Sequence, residues 1–328
     1  MAGKDSFNSG KWQVVGKGET VAEEGDNRLL FKEMGEGEVA MRRQRAKSRE
    51  RKGERKVSLG VVVIVKNEER FIKSCLESVK GWADEIVVAD SGSTDKTTTI
   101  AKRLGAKVYE APKGGNFSTW RNSALSHVES EWVFYLDADE RTTLVLRKEI
   151  DERIGKEEWV AYAVPRRNFI LGREMKHGGW APDYVKRIFR CKSHSGWRGK
   201  LHEEPVFKGK LGHLKEAMIH LQPDPLEMRV EKSIKWSRIE AKLLLAAKHP
   251  PVTWWRVLRI GLTTLWERLV RRAAFLDGME GLILAVFQSY HMMMVYVQLW
   301  EMQNNSKFPP IRRTGKIKSS KLQFKIQN

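Results

Sequence analysis

The chain has 328 residues, 41% apolar and 31% charged, enough to bury a sizeable core in one large domain or two smaller ones. Its net charge of +19 is concentrated: residues 41–56 and 306–328 together carry +14, whereas residues 1–40 are acidic. Two distant cysteines, Cys75 and Cys191, argue against a disulfide framework and a structural zinc cluster and suit a reducing compartment.

Residues 1–56 show little apolar periodicity and read as a flexible basic extension. The N-terminus has no apolar h-region, so no secretory signal is expected and the catalytic body is placed in the cytoplasm. At Val57 the texture changes. "VSLGVVVIVKNEE" is a β-branched run, the pattern of a strand buried on both faces. "ERFIKSCLESVKGW" follows with helical spacing, then "DEIVVADSGSTD" as a second strand, "KTTTIAKRLGA" as a helix and "KVYEA" as a third strand. "FSTWRNSALSHV" is a helix and "EWVFYLDADE" a fourth strand. Strands alternating with short helices predict a Rossmann-like α/β core with a mainly parallel sheet flanked by helices.

Ligands of such sheets bind beyond the carboxyl ends of the strands. Three polar clusters fall there: Lys66-Asn67-Glu68, Asp90-Ser91-Gly92-Ser93, and Asp137-x-Asp139 followed by Glu140. Crowded carboxyls repel one another and are costly to desolvate. Taken alone, the short D-x-D favours a strand exit whose Asp139 or Glu140 caps the next helix. Its two companion clusters turn the reading to one shared site. Hard carboxylate oxygens suit Mg²⁺ or Mn²⁺, which keep open positions for a diphosphate. Asp90 can accept a nucleobase N–H, with Ser91 and Gly92 allowing close approach; an Asx turn, with Ser93 or Thr94 capping the next helix, is the structural alternative. Glu68 suits a ribose hydroxyl or a solvated helix start. Arg121 suits a diphosphate or a plain surface charge.

Beyond Arg141 the pattern loosens into a mixed-sheet region, and from Leu226 it turns helical. Residues 281–300 contain no Lys, Arg, Asp or Glu, long enough to span a bilayer. Gln288, Ser289, His291 and Gln298 count against a span. The preceding "TWWRVLRIGLTTLWERLVRR" mixes Trp and Leu with Arg as an interfacial helix does. Peripheral attachment at the cytoplasmic leaflet is expected, with a buried helix hairpin or an oligomer interface the next reading and a true span third.

"VSLGVVVIVKNEERFIKSCLESVKGWADEIVVADSGSTDKT", with "WRNSALSHVESEWVFYLDADER", resembles an inverting GT-A glycosyltransferase of family 2, and more narrowly the bacterial lipopolysaccharide-core β-glucosyltransferases. The likeness is close from Val57 to about Arg141 and looser through "GGWAPDYVKRIFR", "GWRGKLHEEP" and "FLDGMEGLILAVFQSY". It implies a GT-A catalytic domain over 57–225, followed by the helical, membrane-associating region expected over 226–305; residues 1–56 and the basic tail over 306–328 have no counterpart in the resemblance. It further implies a nucleotide-sugar donor, most readily UDP-glucose, and a lipopolysaccharide-core or similar glycolipid acceptor at the inner face of the cytoplasmic membrane. Asp90 would read the base, Asp137 would serve the ribose–metal region, and Asp139 would ligate the metal. His220 is a further metal-ligand candidate, or else a core histidine. Relatives place the base in an acidic loop, usually Glu-Asp. Here the sequence is His202-Glu203, making Glu203 the expected base, Asp183 the second choice and Glu204 the third. A polyprenyl-phosphate sugar transferase of the same fold is the nearer rival. A nucleic-acid-binding protein using the basic arm is the rival of another class, although acids at three strand ends would repel phosphate, so no specific nucleic acid is expected.

Overall fold

The computed structural model describes residues 57–199, 203–222 and 224–304. The expectations placed on residues 1–56, on 306–328 and on His202 lie outside the described residues.

The β-branched run forms β1 (Leu59–Val65), buried on both faces. Val61, Val63 and Val65 pack with Ile72, Cys75 and Leu76 of α1 (Glu69–Glu77). Val62 points the other way, into a second cluster with Val87, Tyr135 and Ala124. Period-two alternation thus feeds two cores, each fully buried valine contributing roughly 1.5–3 kcal/mol.

Then come β2 (Glu85–Asp90), α2 (Thr97–Arg103), β3 (Lys107–Glu110), α3 (Phe117–Leu125) and β4 (Trp132–Asp137). The first four strands lie in the order β3-β2-β1-β4 and are all parallel. The register sets Asp90 against Val65 and Asp137 against Ile64, so the polar clusters leave one edge of three adjacent strands.

After β5 (Glu140–Arg141) and α4 (Leu144–Arg153), the sheet becomes mixed. β6 (Ala161–Ile170) carries β7 (Arg173–Met175) at its end, and β8 (Asp183–Arg190) runs antiparallel to both β4 and β6. β9 (His194–Arg198) and β10 (Glu204–Phe207) form a separate two-stranded sheet. β11 (Leu211–His213) and β12 (Met218–Gln222) pair parallel to β6, and β12 closes back on β5 with His220 opposite Glu140. The α/β class with a helical C-terminal region is therefore the one expected, with parallel pairing confined to the first four strands and to the flanks of β6.

The C-terminal region folds as α5 (Leu226–Ala246), α6 (Trp254–Trp266), a π turn and a 3₁₀ turn, and α7 (Gly278–Gln303). The uncharged 281–300 segment lies in α7, whose Leu284, Ala285, Ser289, Val295, Gln298 and Leu299 are buried. Ser289 donates to the Gly261 carbonyl of α6 at 2.8 Å, and a Cβ at Gly261 would lie 2.6 Å from Met293 Sδ, so a larger residue there would require the Met293 side chain to move. The bundle is latched to the sheet by Asp277, whose carboxylate accepts the Lys176 and His177 N–H groups at 3.0 and 2.7 Å. Arg268 adds a bond to the Gly178 carbonyl at 2.9 Å.

Candidate active site

The strand-end loops are laced together by short polar bonds. Asn67, at φ 56°, accepts the Thr94 N–H at 2.7 Å, and its own N–H donates to Ser93 Oγ at 2.9 Å. Asparagine tolerates this left-handed position because its short amide bonds locally. The Glu68 N–H donates to Thr97 Oγ1 at 2.8 Å, which places the Glu68 carboxyl at the mouth of β1.

A cavity of about 710 Å³ opens beyond β1 and β4. Glu68, Arg121, Asp137, Asp139, Glu203 and His220 all line it, so six of the sequence-derived candidates meet in one place. Asp90, Ser91 and Asp183 do not line it. Asp90 is buried at the end of β2 and its carboxylate accepts the Ser93 N–H at 3.0 Å, a bond three residues on rather than the two of an Asx turn. Ser91 Oγ donates to the Val65 carbonyl at 3.1 Å. Asp183 is held by the Arg166 guanidinium at 2.7 Å and by the Asn168 amide at 3.0 Å, at the start of β8. Glu204 points away to Lys186, 2.6 Å distant.

Three guanidiniums resolve the carboxyl crowding that "DADE" poses. Glu140, fully buried, pairs with Arg187 at 2.8 Å and Arg166 at 3.3 Å, and accepts the Asp137 N–H at 3.0 Å. Asp137 is bound by Arg187 on one oxygen and by Arg121 on the other, at 3.3 Å for the latter. Burial opposes its charge, but Arg187 and then Arg121 hold its carboxyl far below the usual range. Asp137, expected at a ribose–metal position, thus has both carboxylate oxygens occupied by arginine. The helix-cap alternative fails for Asp139 and Glu140: Thr143 caps α4, accepting the Leu146 N–H at 3.2 Å. Neither Ser93 nor Thr94 caps α2: its cap position is Lys96, and the preceding Asp95 accepts the Thr97 N–H at 3.0 Å.

Asp139 is the carboxylate without an arginine, and it is partly exposed to the cavity. His220 Nε2 lies 3.5 Å from Asp139 Oδ2, while His220 Nδ1 is engaged by Asn168 Oδ1 at 2.7 Å. The β5–β12 pairing causes this meeting, and the Leu221 N–H bonds the Asp139 carbonyl at 2.9 Å. Among the described residues no group of three or more His, Cys, Asp or Glu is arranged to hold an ion. A carboxylate and an oriented imidazole nonetheless fit a hard cation that keeps positions for phosphate oxygens and water. Burial, then the charge of Asp139, raises the Glu68 carboxyl to about 7.

The opposite wall was invisible to motif reading. Arg229, Lys232, Ser233, Trp236 and Glu240 of α5 recur at helical spacing, and Phe287, Gln288 and His291 come from α7. Ser233 Oγ meets His291 Nδ1 at 2.8 Å, and His291 Nε2 meets Glu240 at 3.4 Å. Arg121 joins the walls of the site, 3.7 Å from Glu203 and stacked 4.6 Å from the Trp197 ring.

The family model described as "Glycosyl transferase family 2" matches residues 60–195. A lipopolysaccharide core biosynthesis glycosyltransferase, LpsC of Rhizobium meliloti, is 30% identical over 200 residues, covering 57% of this chain and 71% of that one. A TPR repeat-containing protein of Synechococcus elongatus is 31% identical over 145 residues, and there the chain spans only 34% of its relative's length. Among solved structures, the mannosyltransferase PcManGT from Pyrobaculum calidifontis, in complex with GDP-Man and Mn²⁺, aligns with a TM-score of 0.48 at 13% identity, covering 80% of this chain and 94% of that one.

Proposed function

This chain belongs to glycosyltransferase family 2, and we propose that it transfers a sugar, with inversion, from a nucleotide-sugar to a glycolipid acceptor of the lipopolysaccharide-core kind. The observation that carries this reading is the convergence of Asp139, His220, Glu203 and Arg121 on one cavity. UDP-glucose is the proposed donor, and the inner face of the cytoplasmic membrane the proposed workplace.

In this reading Asp139 and His220 hold Mg²⁺ or Mn²⁺. Bound there, the ion would offset the charge that builds on the departing diphosphate. Glu68 takes a ribose hydroxyl and Asp90 the nucleobase edge, beside the Ser91 turn. Asp137 anchors Arg121, which lines the cavity and offers its guanidinium to the diphosphate, while Arg187 holds Asp137 from behind. Glu203 accepts the proton of the attacking acceptor hydroxyl, and one in-line displacement at the anomeric carbon inverts it. The wall from α5 and α7 supplies what a sugar acceptor needs: an aromatic face at Trp236 and the linked polar groups Ser233, His291 and Glu240.

A polyprenyl-phosphate acceptor is the second reading. Against it, among the described residues a single helix, Ala274–Gln303, is long and apolar enough to cross a membrane, and its inward face packs against the bundle. The deciding experiment is a screen of UDP-, GDP- and TDP-sugars for hydrolysis by the purified protein with Mn²⁺, Mg²⁺ or EDTA. Metal-dependent release of UDP from UDP-glucose is expected; no turnover of any nucleotide-sugar would overturn the donor assignment.

A further inference from the structure

The uncharged 281–300 segment is the conspicuous membrane candidate in sequence, yet much of it is spent on packing within the bundle. Apolar surface is left in water on all three helices, and the most exposed tryptophans, Trp254 and Trp266, lie on its neighbour α6. On α6 and the turn after it, Trp254 (74% exposed), Leu258 (44%), Leu262 (62%), Trp266 (64%) and Val270 (44%) recur every four residues, forming one stripe. Phe275, Leu276 and Met279 continue it, each more than half exposed. Large side chains aligned this way are far from the scattered exposed apolar residues of an ordinary surface.

We propose that this stripe is a membrane-docking face, and that α6 lies in the plane of an anionic phospholipid surface. Charge selects the occupant. Between Trp254 and Arg272 the chain carries five arginines and one acid, Glu267. That acid is already tied to Arg271 and Arg272, each at 2.9 Å. A second copy of the chain docking through the same face about a two-fold axis would bring two such arginine sets together, which is repulsive. Phosphate headgroups complement them, while indoles at both ends of α6, Trp254 and Trp266, suit the boundary between headgroup and acyl chain. α7 connects this face to the chemistry: Phe287, Gln288 and His291 face the cavity, whereas Ser289 and Met293 meet Gly261 of α6. The active-site cavity therefore stands one helix away from the lipid, where a glycolipid head could reach it. The inference rests on the glycolipid-acceptor reading for its purpose, but its test involves no sugar chemistry.

The experiment is co-sedimentation of the full-length protein with phosphatidylethanolamine–phosphatidylglycerol vesicles and with phosphatidylcholine vesicles, for the wild type and for Leu262→Glu/Trp266→Glu. The wild type should partition onto the anionic vesicles at least tenfold more strongly than onto the neutral ones, and the variant should lose at least tenfold of that binding. Both substituted residues are exposed and outside the cavity, so nucleotide-sugar hydrolysis should be unchanged and reports that the variant is folded. As a second readout on the unaltered protein, vesicles with brominated acyl chains should quench part of its tryptophan fluorescence. Unchanged vesicle binding by the variant would overturn the proposal by assigning attachment to other basic segments. So would absence of quenching, or a wild-type dimer that the substitutions convert to monomer without vesicle binding. Failure of the nucleotide-sugar screen would instead strike the catalytic reading and leave the vesicle result standing.

Discussion

The Arg187 guanidinium lies 2.8 Å from the carboxylate of Glu140, a side chain with no solvent exposure, and the same nitrogen also reaches Asp137. One cation from β8 thus bridges two of the three carboxyls at the exit of β4, with Arg121 and Arg166 completing their pairing. The third, Asp139, is left available to the cavity.

Arg187→Met should therefore destabilise the fold by about 3–5 kcal/mol, because it removes the closer partner of the buried Glu140 and leaves it only Arg166 at 3.3 Å. Adding Glu140→Gln to that variant should recover a large part of the loss. Urea denaturation of the three proteins checks both statements, and additive losses would show that the pair is not coupled.

Asp139→Ala should leave stability within about 1 kcal/mol of wild type, since among the described residues no arginine forms an ion pair with it. Metal-dependent donor turnover should fall about 100-fold or more, as several kcal/mol of charge stabilisation is lost. Near-normal turnover in Mn²⁺ would place the cation elsewhere.

Glu203→Gln keeps the shape of the side chain but removes the proton acceptor. Sugar transfer should drop by about 10²–10⁴-fold while UDP still binds, as titration calorimetry can show. If transfer persists and Asp183→Asn abolishes it, the base is Asp183 despite its clasp by Arg166 and Asn168.

Stability should also decline in mild acid through His194. This ring is buried, stacked 4.3 Å from Phe189 and 3.3 Å from the Tyr135 hydroxyl, and burial lowers its pKa to about 4. The unfolded chain binds the proton near 6.5, so the stabilisation is complete above that pH and is lost progressively as pH falls toward 4. The full effect is about 3 kcal/mol at most. His194→Gln should flatten the stability profile between those values; an unchanged slope would assign the acid sensitivity to other groups.

The strand-end clusters were legible from the sequence because parallel βα units repeat a simple rule. Each buried strand is written as an apolar run, and each run ends at the same edge, so Glu68, Asp90 and Asp137–Asp139 group by sequence, although Asp90 lies outside the cavity that the others line. The match to family 2 motifs followed from the same local text. Arg166 and Arg187 offered no such signal. Their role depends on β6 and β8 folding back antiparallel beside β4, a long-range pairing that local pattern does not encode. His220 carried a faint signal as a polar residue in an apolar run, and its encounter with Asp139 was set by β12 closing on β5.

Local periodicity, burial pattern and turn chemistry act over a few residues, and they sufficed for the elements, the α/β class and the carboxylate edge. Long-range pairing and helix packing act between residues tens to hundreds of positions apart. They settled which carboxylates are paired with arginine and that Trp236 and His291 form the far wall of the cavity. The same packing turned part of the longest uncharged segment inward and left the tryptophan-bearing α6 in contact with solvent, because α7 buries Val295 and Leu299 against α5 and Leu284 against Ile170 and Met175 of the sheet.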